Sequence, residues 1–152
     1  MHFNRTVIVL IGASLVFLSA CAAVGQTRPS VQAVVSASVS SSPAFAELLL
    51  RKTELEADVE SLLSEYTEDY PKVKEAQYQL AALEKGIDRV RAVKPVDAGK
   101  LTLALGKLIV RKCELETELW SLQNQYKEDH PDVKRARRKV EIFEQAIKQI
   151  LG

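Results

Sequence analysis

Two short strings concentrate the side chains that could hold an ion or move a proton. They are Thr67-Glu68-Asp69-Tyr70-Pro71 and Lys127-Glu128-Asp129-His130-Pro131. Glu68 with Asp69, and Glu128 with Asp129 and His130, offer the hard oxygen and imidazole donors that a cation would use. Their spacing is neither that of a calcium-binding loop nor that of two histidines on one helical face. Tyr70 stands where the second string has His130, so the first copy supplies no imidazole. Asp69 and Asp129 are instead read as capping acceptors for exposed amides, and Tyr66, Tyr70, Tyr126 and His130 as residues that shape a turn. No metal, cofactor or catalytic residue is assigned. The chain has no Ser-His-Asp arrangement, glycine-rich phosphate loop, CxxC pair or HExxH helix.

The elements that position these strings are duplicated. Residues 51–91 align without a gap on residues 111–151, and sixteen of the 41 aligned positions carry the same residue. That is a duplicated supersecondary unit. Before the first string, Phe45, Leu48, Leu55, Val59, Leu62 and Tyr66 step by threes and fours, with Lys52 as a polar interruption. The second copy reads Leu101, Leu105, Leu108, Lys112, Leu115, Leu119, Leu122 and Tyr126. After the prolines come Val73, Ala76, Leu80, Leu83, Ile87 and Val90, and then Val133, Ala136, Val140, Phe143, Ile147 and Ile150. Such spacing predicts helices lying along one another with a slight left-handed wind. Polar residues at seam positions, here Lys52 and Lys112, specify register or partner.

A proline forces its predecessor out of the α region and fits the first position of a helix. Pro71 and Pro131 therefore open new helices. Each break predicts an antiparallel αα-hairpin, the alternative being a kink in one long rod. The expected fold is all-α: two tandem antiparallel, coiled-coil-like hairpins over 44–92 and 100–152, joined by a connector at 93–99. The hairpins close as one four-helix bundle or pair with other subunits, since one hairpin alone buries too little to be robust.

Of the 152 residues, 27% are charged and 47% hydrophobic, with a formal charge of +1. Without the first twenty residues, whose only charged side chain is Arg5, 20 basic face 20 acidic residues. That balance offers no footprint for nucleic acid. The run Lys134-Arg135-Ala136-Arg137-Arg138-Lys139 is read as a solvated helix face, because the first copy is not basic there. Trp120, beside the seam at Leu119, is read as interface packing, and Cys113, opposite Thr53, as a small helix residue.

The N-terminus has the parts of a secretory signal: Arg5, an apolar run from Val7 to Leu18, then small residues. Leu18-Ser19-Ala20-Cys21 resembles the lipobox of bacterial lipoproteins at all four positions. That resemblance implies cleavage after residue 20, diacylation of the Cys21 thiol and acylation of its new amino group. Ala22, where an inner-membrane retention signal would carry Asp, favours the outer membrane. The alternatives are ordinary cleavage near Ala23-Val24-Gly25, giving a soluble periplasmic protein, and an uncleaved anchor. Residues 21–43, Ser-rich and punctuated by Pro29 and Pro43, read as a flexible tether in which Val34, Val35 and Val39 form at most a transient strand.

The string Tyr-x-x-x-(His/Tyr)-Pro-x-Val between leucine heptads is similar to one in the periplasmic coiled-coil arms of polysaccharide chain-length determinant and exopolysaccharide export proteins. The matching residues are Tyr66, Tyr70, Pro71 and Val73, and Tyr126, His130, Pro131 and Val133. The resemblance implies a helix, a proline turn and a returning helix. That family flanks its arms with transmembrane helices, and none follows the second copy here, so a co-polymerase role is not expected. Together these features predict a non-enzymatic, lipid-anchored envelope protein facing the periplasm. It would scaffold other envelope proteins or self-associate through its seams. The alternative is a soluble periplasmic binding or chaperone-like module.

Overall fold

Proline and hydroxyl caps set the four helix starts on which the architecture is built. The computed structural model describes residues 39–152. The expected signal segment 1–20, Cys21 and the expected tether as far as residue 38 lie outside the described residues. The elements are α1 (Pro43–Glu65), α2 (Pro71–Arg91), a 3-10 helix (Pro95–Lys100), α3 (Leu103–Gln125) and α4 (Pro131–Leu151). No strand occurs among the described residues. Ser42 caps α1 by accepting the Phe45 N–H at 3.3 Å, and Thr102 caps α3 by accepting that of Leu105 at 3.3 Å. Each satisfies one of the donors that an opening turn leaves unpaired. The structural repeat therefore begins at 42 and 102, earlier than the identities that reveal it in sequence.

Both breaks have the same backbone. Tyr66 leaves α1 at φ −129°, ψ 160°, and Tyr126 leaves α3 at φ −130°, ψ 156°. Tyr70 and His130, each before a proline, are extended at ψ 132° and 138°. The chain folds back at each break, so α1 packs along α2 and α3 along α4. The hairpins also pack on each other, with α3 against both α1 and α2. The result is one all-α bundle in which α3 is the central helix and α4 flanks it. Helices of 23 residues are about 34 Å long. Because α1 and α3 run in the same direction, both bends lie at one end, and the chain entry and connector lie at the other.

The seam expected from the sequence is the core. Leu48, Leu55, Val73, Leu83, Ile87 and Val90 are buried, as are Leu101, Leu105, Leu115, Val133, Ala136 and Ile147. Side chains of this size each contribute about 1.5–3 kcal/mol when fully buried. Only the closing tyrosines break the pattern: Tyr66 and Tyr126 are 42% and 44% exposed. Each is the C-cap of its helix and stands at the start of the bend.

Two further corrections concern the ends. Val39, placed in the tether, is buried in the core, and Ser42 is buried beneath it, donating from Oγ to the Val39 carbonyl at 2.7 Å. The folded body therefore starts at least four residues before 43. Asp69 and Asp129 do not cap the returning helices. The N-caps are Tyr70, without a side-chain cap bond, and His130, whose Nδ1 accepts the Asp132 N–H at 3.3 Å. The connector contains a 3-10 turn, Pro95–Lys100, tied down by Lys100 Nζ, which donates to the Leu151 carbonyl at 3.2 Å and pairs with Asp97 at 2.9 Å.

Outside the heptad seam, α3 has a second buried face, made by Gly106, Ile109, Cys113 and Thr117, which the apolar spacing did not predict. It is where the hairpins meet. A Cβ on Gly106 would lie 2.9 Å from Glu47 Cβ and 3.0 Å from Ala44 Cα. One on Gly86 of α2 would lie 2.6 Å from Ile109 Cγ2. Two glycines thus let α1 and α2 approach the central helix closely.

Candidate functional site

The bends carry the side chains singled out in the sequence, and the structure disperses their chemistry. Tyr66 stacks on Tyr70 at 4.2 Å between ring centroids, and Tyr126 stacks on His130 at 4.3 Å. The stacked rings brace the chain reversal from outside, which explains an aromatic on each side of the turn in both copies. Asp69 pairs with Lys74 at 2.8 Å, and the lysine holds its carboxyl below the usual carboxylate range. Glu128 pairs with Arg137 and accepts from Gln123 at 2.8 Å, which lowers its pKa in the same way. Among the described residues no group of three or more His, Cys, Asp or Glu side chains is arranged to hold a metal ion.

A more informative constellation is built from three identities that the duplication preserves. In hairpin 1, Lys52 on α1 pairs with Glu56 one turn on and with Glu84 of α2 at 3.5 Å. In hairpin 2, Lys112 on α3 pairs with Glu116 at 2.8 Å and with Glu144 of α4 at 3.5 Å. Each lysine interrupts its seam and clamps the two arms of its own hairpin. The clamp fixes register, since sliding one helix by a turn would separate the charges. Identity at 52/112, 56/116 and 84/144, with i,i+4 spacing in the first pair, was the signal in the sequence.

The two clamps sit in different surroundings. Hairpin 1 lies over the second clamp, and Arg89 of α2 spans both Glu144 oxygens at 3.1 Å. Burial works against the charge on Lys112, yet its bond to Glu116 and the charges of Glu116 and Glu144 hold its pKa up. Burial would likewise raise the Glu144 carboxyl, but the Arg89 and Lys112 charges outweigh it and lower its pKa. These groups border a cavity of about 520 Å³ that also touches Tyr78, Gly86 and Cys113. The Cys113 thiol is 3% exposed, and burial, reinforced by the Glu116 charge, pushes it up to about 12. A protonated, buried thiol is a poor nucleophile. The ion pairs around it are mutually satisfied.

Trp120 stacks on Tyr78 at 4.9 Å, joining α3 to α2, so its interface role lies between the two hairpins. The basic run of α4 faces outward and is largely matched by acids. Arg135 pairs with Asp132, Arg138 with Glu141 at 3.1 Å, and Lys139 with Glu118 at 3.5 Å. No described helix is long and apolar enough to cross a membrane. No protein-family model, curated protein or solved structure matches this chain. Its function is therefore read from the residues and their geometry.

Proposed function

We propose that this chain is a non-enzymatic envelope lipoprotein whose duplicated helical body is an interaction scaffold, held at the membrane through Cys21 and working beside a surface-polymer export system. One observation carries the scaffold reading. The features that both copies retain are a seam, a braced bend and an ionic clamp, all of which shape a rod and none of which presents a free reactive group. The lipid anchor is supported by the Leu18-Ser19-Ala20-Cys21 string, and the export context by the Tyr-x-x-x-(His/Tyr)-Pro-x-Val turns.

Growth with labelled palmitate tests the anchor. The full-length chain is expected to take up label and sediment with outer membranes, and Cys21→Ser to lose both. An unlabelled wild-type chain in the soluble periplasmic fraction would replace the lipoprotein by the soluble binding module. Capture of export components from membranes would support the scaffold role. A turnover lost on changing Glu68, Asp69, Glu128 or Asp129 would overturn it.

A further inference from the structure

The face of α3 that buries Gly106, Ile109, Cys113 and Thr117 has a counterpart sixty residues earlier: Ala46, Leu49, Thr53 and Ala57 of α1. All four counterparts are exposed, Leu49 by 49%, with Leu50 beside it at 58%. Leu49 borders a groove of about 430 Å³ lined also by Phe45, Lys52, Glu56, Glu84 and Ile87, with Asp88 and Arg91 at its rim and the Arg91 guanidinium 5.6 Å over the Phe45 ring. Phe45, Lys52, Glu56, Glu84 and Ile87 are the first-copy counterparts of Leu105 and of the clamp and seam residues beneath hairpin 1. In hairpin 2, α2 covers that groove and leaves the cavity of about 520 Å³ beside the clamp. In hairpin 1 no described helix covers it. The counterpart of α2 is α4, and α4 presents Ile142, 51% exposed, where α2 carries Ala82.

We infer that the open groove of hairpin 1 receives α4 of a second copy of this chain, so that the protein associates head to tail by repeating its own inter-hairpin interface. Carried forward by one repeat, the polar contacts of that interface remain complementary, while its closest approach must loosen: Gly106 against Ala44 and Glu47 becomes Ala46 against Ala104 and Lys107, and the added methyl holds the two backbones further apart. Arg51 of hairpin 1 reaches Glu114 of hairpin 2 at 4.0 Å, and both types recur, so Arg111 of one copy meets Glu54 of the next. The Tyr78–Trp120 stack becomes Arg138 against Glu60, an opposite-charge pair. The Arg89–Glu144 pair becomes Gln149 against Glu84, a donor on a carboxylate. Gly86 against Ile109 becomes Ala146 against Leu49, one methyl wider but next to a side chain free to move. A heterologous contact of this kind leaves a free groove and a free α4 at the two ends, so it extends instead of closing as a dimer.

This deepens the scaffold reading and is independent of the lipid anchor. The test uses the full-length chain in detergent, with sedimentation velocity as the readout and circular dichroism as the folding check. Wild type is expected to form species larger than a dimer as concentration rises to roughly 100 μM. Glu60→Arg and Arg138→Glu should each stay helical and weaken association about tenfold, and mixing the two should restore it, because every junction in the alternating mixture pairs opposite charges. A monomeric wild type, or a mixture no larger than its components, overturns the inference. So does oxidative crosslinking of Leu49→Cys to a second Leu49→Cys, or to the first 38 residues, in place of Ala146→Cys. A monomer that still captures envelope partners leaves the scaffold reading standing and removes only this one.

Discussion

Hairpin 1 and hairpin 2 share their bends, caps and clamps, yet the same positions meet different fates. Leu49 is 49% exposed and Ile109 3%; Thr53 is exposed and Cys113 buried. Glu84 is 53% exposed and Glu144 27%. The backbone units are alike, so burial is decided by the neighbour each unit has in the chain and not by the unit itself. Helix α3 has a neighbour on two sides because hairpin 1 precedes it, whereas no described element covers the equivalent face of α1. Among the described residues the duplication thus yields one interface and leaves its equivalents uncovered.

Thiol chemistry should separate the two most sharply. In a Cys21→Ser background, Thr53→Cys is expected to react with a disulfide reagent at the rate of an exposed thiol. Cys113 should react at least ~10³-fold more slowly, because modification requires opening of the bundle. Equal rates would show that hairpin 1 does not cover α3. Next in size is truncation on the same face. Ile109→Ala should cost about 2–4 kcal/mol in denaturant unfolding, as a void opens against Gly86, and Leu49→Ala within about 0.5 kcal/mol. The clamps should differ less. Lys112→Met, which leaves Glu116 and Glu144 partly covered with one cation fewer, is expected to cost about 1 kcal/mol after allowance for solvent screening. Lys52→Met, at a solvent-open clamp, should change melting little.

The smallest effect is a dependence on pH. With its folded pKa lowered, Glu144 contributes stability that is present above its unfolded value of 4.5 and lost as the pH falls through the lowered folded value. Glu144→Gln should therefore be less stable than wild type at pH 7, and the gap should narrow as the pH drops below about 4. A gap that stays constant across that range would mean that Arg89 and Lys112 do not hold the carboxylate.

Most of the fold was legible because heptads report directly on the face buried within a hairpin. Leu48, Leu83, Leu105 and Ile147 are where the spacing placed them. Proline at 71 and 131 likewise marked the chain reversals. The second face of α3 was not legible, because it is made largely of Gly106, Cys113 and Thr117, small residues that an apolar-periodicity reading passes over. Its signal was their contrast with Ala46, Thr53 and Ala57, which only the alignment of the two copies brings out. The clamp was half legible: Lys52 and Lys112 stood out as misplaced charges, but their partners across the hairpin depend on a register that the sequence does not state. Asp69 and Asp129 misled because an acid before a proline resembles a cap. The pre-proline residue takes that position, and the aspartate is left one step too far back.

Helices α1 and α3 point the same way, and this gives the molecule two unlike rims. Any array grown by translating one unit onto the next would carry all its ring-braced corners along one border and all its Val39 ends and connectors along the other. Such a ribbon is polar across its width, with a row of aromatic teeth along one margin about 34 Å from the other.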